Sequence, residues 1–147
     1  MSNLAPPRWL KPMNKVMMAV QKLGFPTGPA MVLTVPGRRS GQPRSTPMTP
    51  FTHRGELYTV AGYPGADWPR NARAAGEGTL SRGRKSRRVK IVELSADHAR
   101  PVLREFPAQV PVGVGFAKRS GLVVDGTADE FEALAGQLAV FRFDPIA

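Results

Sequence analysis

Val32-Leu33-Thr34-Val35-Pro36-Gly37-Arg38-Arg39-Ser40-Gly41-Gln42-Pro43-Arg44-Ser45-Thr46-Pro47 reads as a strand, a tight basic turn and a returning strand. Val32 to Val35 is a short apolar run rich in β-branched side chains, which are stiff at χ1 and pack well on a pleated surface. Gly37 and Gly41 bracket a turn crowded with donors: Arg38, Arg39, Ser40, Gln42 and Arg44. Glycines let a backbone approach a ligand and expose its N–H groups, and arginines add forked, permanently charged donors, so the turn has the chemistry of an anion clamp. The same composition also describes a solvated hairpin tip, and both readings stand on this stretch alone.

Downstream, the pattern stays that of hairpins. Ala30 to Val35 is the first strand and Ser45 to His53 the second, with Pro47 and Pro50 marking it as an edge or bulged strand because proline cannot donate to a ladder. Arg54-Gly55 is a hairpin tip, and Glu56 to Ala61 is the third strand. A second glycine-rich loop, Gly62-Tyr63-Pro64-Gly65, leads to a short helix from Asp67 to Ala75, with Asp67 as N-cap, Pro69 in the first turn and Gly76 as the stop. Gly78 to Arg84 and Arg87 to Leu94 form a hairpin with a basic tip. Ser95-Ala96-Asp97 signals a helix from about Asp97 to Phe106. Pro107 to Gly115 reads as a loop, Asp129 to Leu138 as a helix and Ala139 to Phe143 as a closing strand.

Upstream, residues 1–12 read as a flexible arm punctuated by Pro6, Pro7 and Pro12, with Trp9 and Leu10 either anchoring it or touching a membrane surface. Met13, Val16, Met17, Val20 and Leu23 then recur at helical spacing, with Gly24 as C-cap. The expectation is a single domain over residues 13–147, α+β, with about six mostly antiparallel strands in a sheet or small barrel rather than an alternating βαβ pattern.

Composition narrows the chemistry. The 147 residues include no cysteine, which excludes thiolate catalysis, disulfides and thiolate metal sites. His53 and His98 lack metal-ligand spacing, and His53, near a hairpin tip, is expected to be exposed. No apolar run approaches a membrane span, and prolines and lysines interrupt the first residues, so a soluble cytoplasmic protein is expected, with membrane association only through the arm. The net charge of +10 is uneven: residues 67–90 carry eight bases against Asp67 and Glu77, whereas residues 91–147 carry eight acids and five bases. A positive field of this kind draws polyanions, whether nucleic acid, anionic lipid or a multiply charged small ligand. The absence of aromatics within the basic run argues against a single-strand stacking platform.

Three features converge if the first and third strands are neighbours. The Arg38–Arg44 turn brings charge, the Ala61–Gly65 loop brings open backbone groups, and the helix start Trp68-Pro69-Arg70-Asn71 brings an apolar wall and orphan amides. A flat polar heterocycle with an anionic tail suits them, although Trp68 equally suits a core. The chain has no Ser/His/Asp arrangement and no paired carboxylates in a basic cleft, so a cofactor would carry any redox chemistry.

The blocks Gly37-Arg38-Arg39-Ser40-Gly41-Gln42-Pro43-Arg44, Ala61-Gly62-x-x-Gly65-Ala66 and Trp68-x-Arg70-Asn71, in that order over roughly residues 30–95, resemble the deazaflavin-dependent nitroreductase family, split β-barrel proteins that use coenzyme F420. The resemblance implies that Arg38, Arg39, Ser40, Gly41 and Arg44 hold the cofactor phosphate and oligoglutamate tail. It implies that Ala61, Gly62, Gly65 and Ala66 pass close to the deazaflavin ring, and that Pro47, Trp68, Arg70 and Asn71 line its pocket. It further implies hydride transfer from the reduced cofactor to a quinone, nitro-heterocycle or enone, without a metal. Tyr63 stands where the family commonly has a tail-binding lysine, and could donate a hydrogen bond in its place. Substrate-facing tyrosines are scarce, so Phe106, Phe116 or Phe141 is expected to wall the pocket. The alternatives are a non-catalytic binder of F420, FMN, haem or a fatty-acid-like ligand on the same fold, and a basic module for nucleic acid or a membrane surface. The expected partner is a small electrophilic substrate, with the chain a monomer or homodimer.

Overall fold

In a computed structural model, which describes residues 30–146, the chain forms one seven-stranded antiparallel sheet and four helices. In chain order these are β1 (Met31–Pro36), β2 (Pro43–Met48), β3 (Phe51–His53), β4 (Glu56–Val60), α1 (Trp68–Ala75), β5 (Glu77–Arg82), β6 (Lys85–Glu93), α2 (Ala96–Gln109), α3 (Pro111–Arg119), α4 (Ala128–Glu132) and β7 (Val140–Pro145). The arm and helix expected over residues 1–23 lie outside the described residues.

The strand order is β2-β1-β5-β6-β7-β4-β3. This order forces the sheet to curl. β2 and β3 are its two edges, yet only Thr49 and Pro50 separate them in sequence. From Met48 to Phe51 the chain reaches about 10 Å at full extension, whereas six strand spacings across a flat sheet measure about 29 Å. The edges therefore meet, and the sheet closes into a split barrel. The expected single strand from Ser45 to His53 is thus two strands. Pro47 and Pro50 explain the break and the edge position together, since an edge strand tolerates the missing N–H.

The first and third strands of the sequence reading, now β1 and β4, are not neighbours. β1 pairs with β2 and β5, and β4 pairs with β3 and β7.

Two cores share β7. Phe141 and Phe143 point into the barrel with Leu33, Val35, Leu80, Val89 and Ile91, and Trp68 and Met48 pack against this interior. Val140 points the other way, into a second core of Phe51, Leu103, Phe106, Val110 and Phe131 under the helices. Period-two alternation splits one strand between two cores. Phe141 is fully buried in the barrel, so the expectation that it walls a ligand pocket does not hold.

The segment expected as a loop over Pro107–Gly115 is helical. α2 runs through Pro101 and Pro107 to Gln109, and Pro111 opens α3. Proline is well placed in the first turn of a helix, and Gly113 lets α3 approach α2, since a Cβ there would overlap the Phe106 ring. Packing overrides the poor helix propensity of this segment. The expected helix from Asp129 to Leu138 contains only α4 and then turns, with Gly136 at φ 89°. His53 is not exposed: its ring packs edge-on to Tyr58, and Nδ1 lies 3.9 Å from Glu105.

Candidate active site

The basic turn is self-supporting. Gly37 N donates to Gln42 O at 2.8 Å, Gly41 N donates to Gly37 O at 2.9 Å, and Ser40 Oγ accepts from Gln42 N at 3.2 Å. Gly41 has φ 73°, a left-handed conformation that glycine adopts without strain.

The turn is bolted to α1. Asn71 Oδ1 accepts from Arg38 N at 3.1 Å and from Arg38 Nη1 at 2.8 Å, and Arg38 Nη2 donates to Asp67 Oδ1 at 3.1 Å. Asp67 occupies the N-cap position of α1 but does not cap with its side chain. Its carboxylate faces Arg38 instead, and the Arg38 hydrogen bond, helped by the charges of Arg38, Arg70 and Arg39, holds its pKa below the ordinary value. Asn71 is buried, 5% exposed, and Arg38 is engaged in the bracket through its backbone N–H, Nη1 and Nη2. Arg39 and Arg44 are exposed and form no ion pair with any described residue. They are the turn's uncommitted charges.

One turn before Asn71 on the same helix, Trp68 borders a cleft of about 240 Å³. Its walls are Thr46 to Thr49 from the end of β2, Ala61, Gly62 and Tyr63 after β4, and Phe106 and Phe116 from α2 and α3. The Trp68 ring also packs 5.3 Å from Phe141, so it is both barrel core and cleft wall. Among the described residues, no lining side chain is ionisable except the Tyr63 phenol. Tyr63 lies 6.1 Å from Phe116, ring to ring, and burial raises its pKa, with Asp67 adding to the shift. Gly62 faces the same ring: a Cβ there would meet Phe116 Cε1 at 3.7 Å, an ordinary contact.

The same loop has a second side. Gly65, Ala66 and Arg70 line a cavity of about 210 Å³ together with the ion pair of Arg73 and Glu93, in which Nε–Oε1 is 2.6 Å. Ala61, Tyr63 and Leu138 border both spaces.

The fourteen residues read from the sequence therefore divide among four places. Pro47, Ala61, Gly62, Tyr63 and Trp68 meet at the larger cleft, while Gly65, Ala66 and Arg70 join Ala61 and Tyr63 at the smaller cavity. Arg39, Ser40, Gly41 and Arg44 form the turn, and Arg38 and Asn71 join the turn to α1. α1 links these places: Asn71 holds the turn through Arg38, and Trp68 meets the Ala61–Tyr63 edge at the larger cleft. Phe106 and Phe116 wall the cleft as expected. Val110 and Val112 were not foreseen, because the α2–α3 corner read as a loop, and Thr46 and Thr49 read only as strand residues. The eight bases of residues 67–90 lie on α1 and the β5–β6 hairpin. Arg73 pairs with Glu93, and Arg88 reaches Glu77 Oε1 at 3.8 Å and Thr79 Oγ1 at 3.1 Å.

The cleft fits a flat ring system. It offers aromatic walls, a glycine-lined backbone edge and, among the described residues, no charged side chain, and it is smaller than the ~300–1,000 Å³ typical of whole-ligand sites, so a charged tail would run outside it. Among the described residues, no cluster of acidic or histidine side chains could hold a metal, and no helix is long and apolar enough to cross a membrane.

Fold and cleft together define a split β-barrel of the flavin- and deazaflavin-binding type. The chain shares its fold with a solved F420-H2 dependent reductase, at 18% identity over 80% of this chain and 95% of that one, TM-score 0.54. It shares it also with a putative pyridoxamine 5'-phosphate oxidase from Listeria innocua, at 13% identity over 92% and 94%, TM-score 0.51. A third solved neighbour, described as a domain-swapped dimer, aligns at 16% identity over 92% and 97%, TM-score 0.57. No curated protein matches by sequence. Residues 13–121 match the F420H(2)-dependent quinone reductase family, and the chain belongs to that family. It is accordingly an oxidoreductase whose cofactor is coenzyme F420.

Proposed function

We propose that this chain binds F420 with the deazaflavin ring in the cleft between Pro47, the Ala61–Tyr63 edge and Trp68, and with the phosphate and oligoglutamate tail against Arg39 and Arg44. Bound reduced F420 supplies a hydride, and the acceptor is a small electrophile, a quinone before a nitro-heterocycle or enone. The observation that carries this reading is the division of labour along α1, where Trp68 borders an uncharged cleft and Asn71, one turn on, holds the arginine turn.

Each residue set has a physical task. Arg39 and Arg44 form charge-assisted bonds to phosphate or carboxylate, and the internally bonded turn presents them on an already ordered backbone. Gly62 lets the ring approach the main chain. Phe106, Phe116 and Trp68 exclude water from the reacting face and suit an aromatic acceptor. Gly65, Ala66 and Arg70 line the smaller cavity on the other side of the same loop.

Titration of the purified protein with oxidised F420, followed by coenzyme fluorescence, tests the reading. Saturable binding is expected. Absence of saturation below about millimolar, a free energy of only ~4 kcal/mol, would overturn it. Turnover of menadione with reduced F420 then separates a reductase from a ligand carrier.

A further inference from the structure

The hydride reaction needs a proton that the larger cleft has few means to supply. Transfer of a hydride to a quinone or enone delivers two electrons and one hydrogen, and leaves one acceptor oxygen with a negative charge. One further proton completes the reduction. Among the described residues, those lining the cleft include no Asp, Glu, His, Lys or Arg. Their side-chain donors are Thr46, Thr49, Tyr63 and Trp68. Of these, only a phenol, with an ordinary pKa near 10, ionises within the range proteins use.

The setting of Tyr63 suits that task. Its ring lies against Phe116 in the cleft wall, and its hydroxyl makes no hydrogen bond to any described residue. Tyr63 also borders the smaller, more polar cavity that contains Arg70, Arg73 and Glu93. It thus stands between an apolar space for the acceptor and a polar space from which water can restore a proton. Burial, and the carboxylate of Asp67, keep the phenol protonated at neutral pH, so it is a donor when the acceptor arrives.

We propose that Tyr63 is the proton donor for the acceptor and that it selects carbonyl compounds. Its O–H bonds the acceptor oxygen that gains negative charge. As the hydride arrives, the acceptor C=O π pair moves onto that oxygen, the Tyr63 O–H bond breaks and an O–H bond forms on the acceptor. The tyrosinate then takes a proton from water on the side of the smaller cavity. This inference rests on the cleft being the reaction site, as proposed above.

The test compares the wild-type chain with Tyr63→Phe, which keeps the ring against Phe116. Equilibrium dialysis of the coenzyme-free protein measures affinity for menadione and for 2-methylnaphthalene, which has the same ring outline and no oxygen. The substitution is expected to weaken menadione about tenfold, ~1.4 kcal/mol, and to change 2-methylnaphthalene less than twofold. Menadione turnover at saturating reduced F420 is expected to fall about 100-fold, and the alkaline limb of its pH profile to disappear. Either an affinity ratio that the substitution leaves unaltered, or a turnover that stays within twofold, overturns the assignment. Failure of the wild-type chain to bind coenzyme is read separately in the fluorescence titration, and overturns the proposed function instead.

Discussion

Arg38 and Asn71 meet twice at one oxygen: Asn71 Oδ1 accepts both the backbone N–H and the guanidinium Nη1 of Arg38, at 3.1 and 2.8 Å. The pair joins residues 33 positions apart in the chain and sets the arginine turn against the helix that carries Trp68. Because Asn71 is buried, its loss would strand the Arg38 amide and part of the guanidinium without partners.

Asn71→Ala is therefore expected to lower stability by about 1–3 kcal/mol, the cost of leaving buried donors unmet. Urea unfolding measures this. Coenzyme affinity should fall with it, because the turn loses its anchor. A variant as stable as the wild type would show that the bracket contributes nothing.

Arg44→Ala and Arg39→Ala should behave in the opposite way. Neither side chain has an ion-pair partner among the described residues, so stability should change by less than about 0.5 kcal/mol, as for other exposed positions. Each lost charge-assisted contact to the tail is expected to weaken F420 binding by about 10- to 100-fold, measured by fluorescence titration. Arg38→Ala should lower both stability and affinity, and the contrast separates a bracket from a ligand contact.

Two glycines of α3 are expected to differ in sign. A Cβ at Gly113 would overlap the Phe106 ring and lie 3.3 Å from Val110 Cγ1, so Gly113→Ala should destabilise by about 1–3 kcal/mol through overpacking. At Gly115 a Cβ meets Arg119 Nη1 at 3.5 Å, an ordinary contact, and Gly115→Ala should stabilise by about 0.5–1 kcal/mol through helix propensity. Thermal unfolding of both variants checks the pair.

Glu130 governs an acid transition. Its carboxylate accepts from the backbone N–H groups of Val124, Asp125, Gly126 and Thr127 at 2.7 to 3.0 Å, and these bonds, Val124 first, pull its pKa from 4.5 to about 2. A depressed carboxylate stabilises the fold above its unfolded pKa, and the contribution is lost as pH falls through the folded value. Stability of the wild type should therefore decline between about pH 4.5 and 2, and Glu130→Gln should flatten that part of the curve. Circular dichroism melts across the window would show identical slopes if the carboxylate were not so held.

Legibility tracked the range of the forces involved. The β5–β6 hairpin and the Ser95 cap, whose Oγ accepts from His98 N, follow from alternation, turn chemistry and capping within a few residues, and the structure has them where they were read. The break at Thr49-Pro50 was visible only as two awkward prolines, because which strand each half joins depends on partners remote in sequence. The α2–α3 corner misled for a related reason. Two prolines and two glycines argue locally for a loop, but burial of Phe106, Val110 and Ala117 outweighs local propensity.

By itself, the sequence determined the elements of the site and their chemistry: an arginine turn, a glycine-bearing loop and a helix opening on Trp68, in that order. These depend on residue type and close spacing. Only the tertiary structure decided how they meet. It joined turn to helix through Arg38 and Asn71, left Arg39 and Arg44 free of ion pairs with the described residues, turned Phe141 inward, and put Tyr63 between two cavities. Those assignments depend on closure of the sheet, in which β2 and β3 become opposite edges brought together by a two-residue link, and no short stretch of sequence encodes that contact.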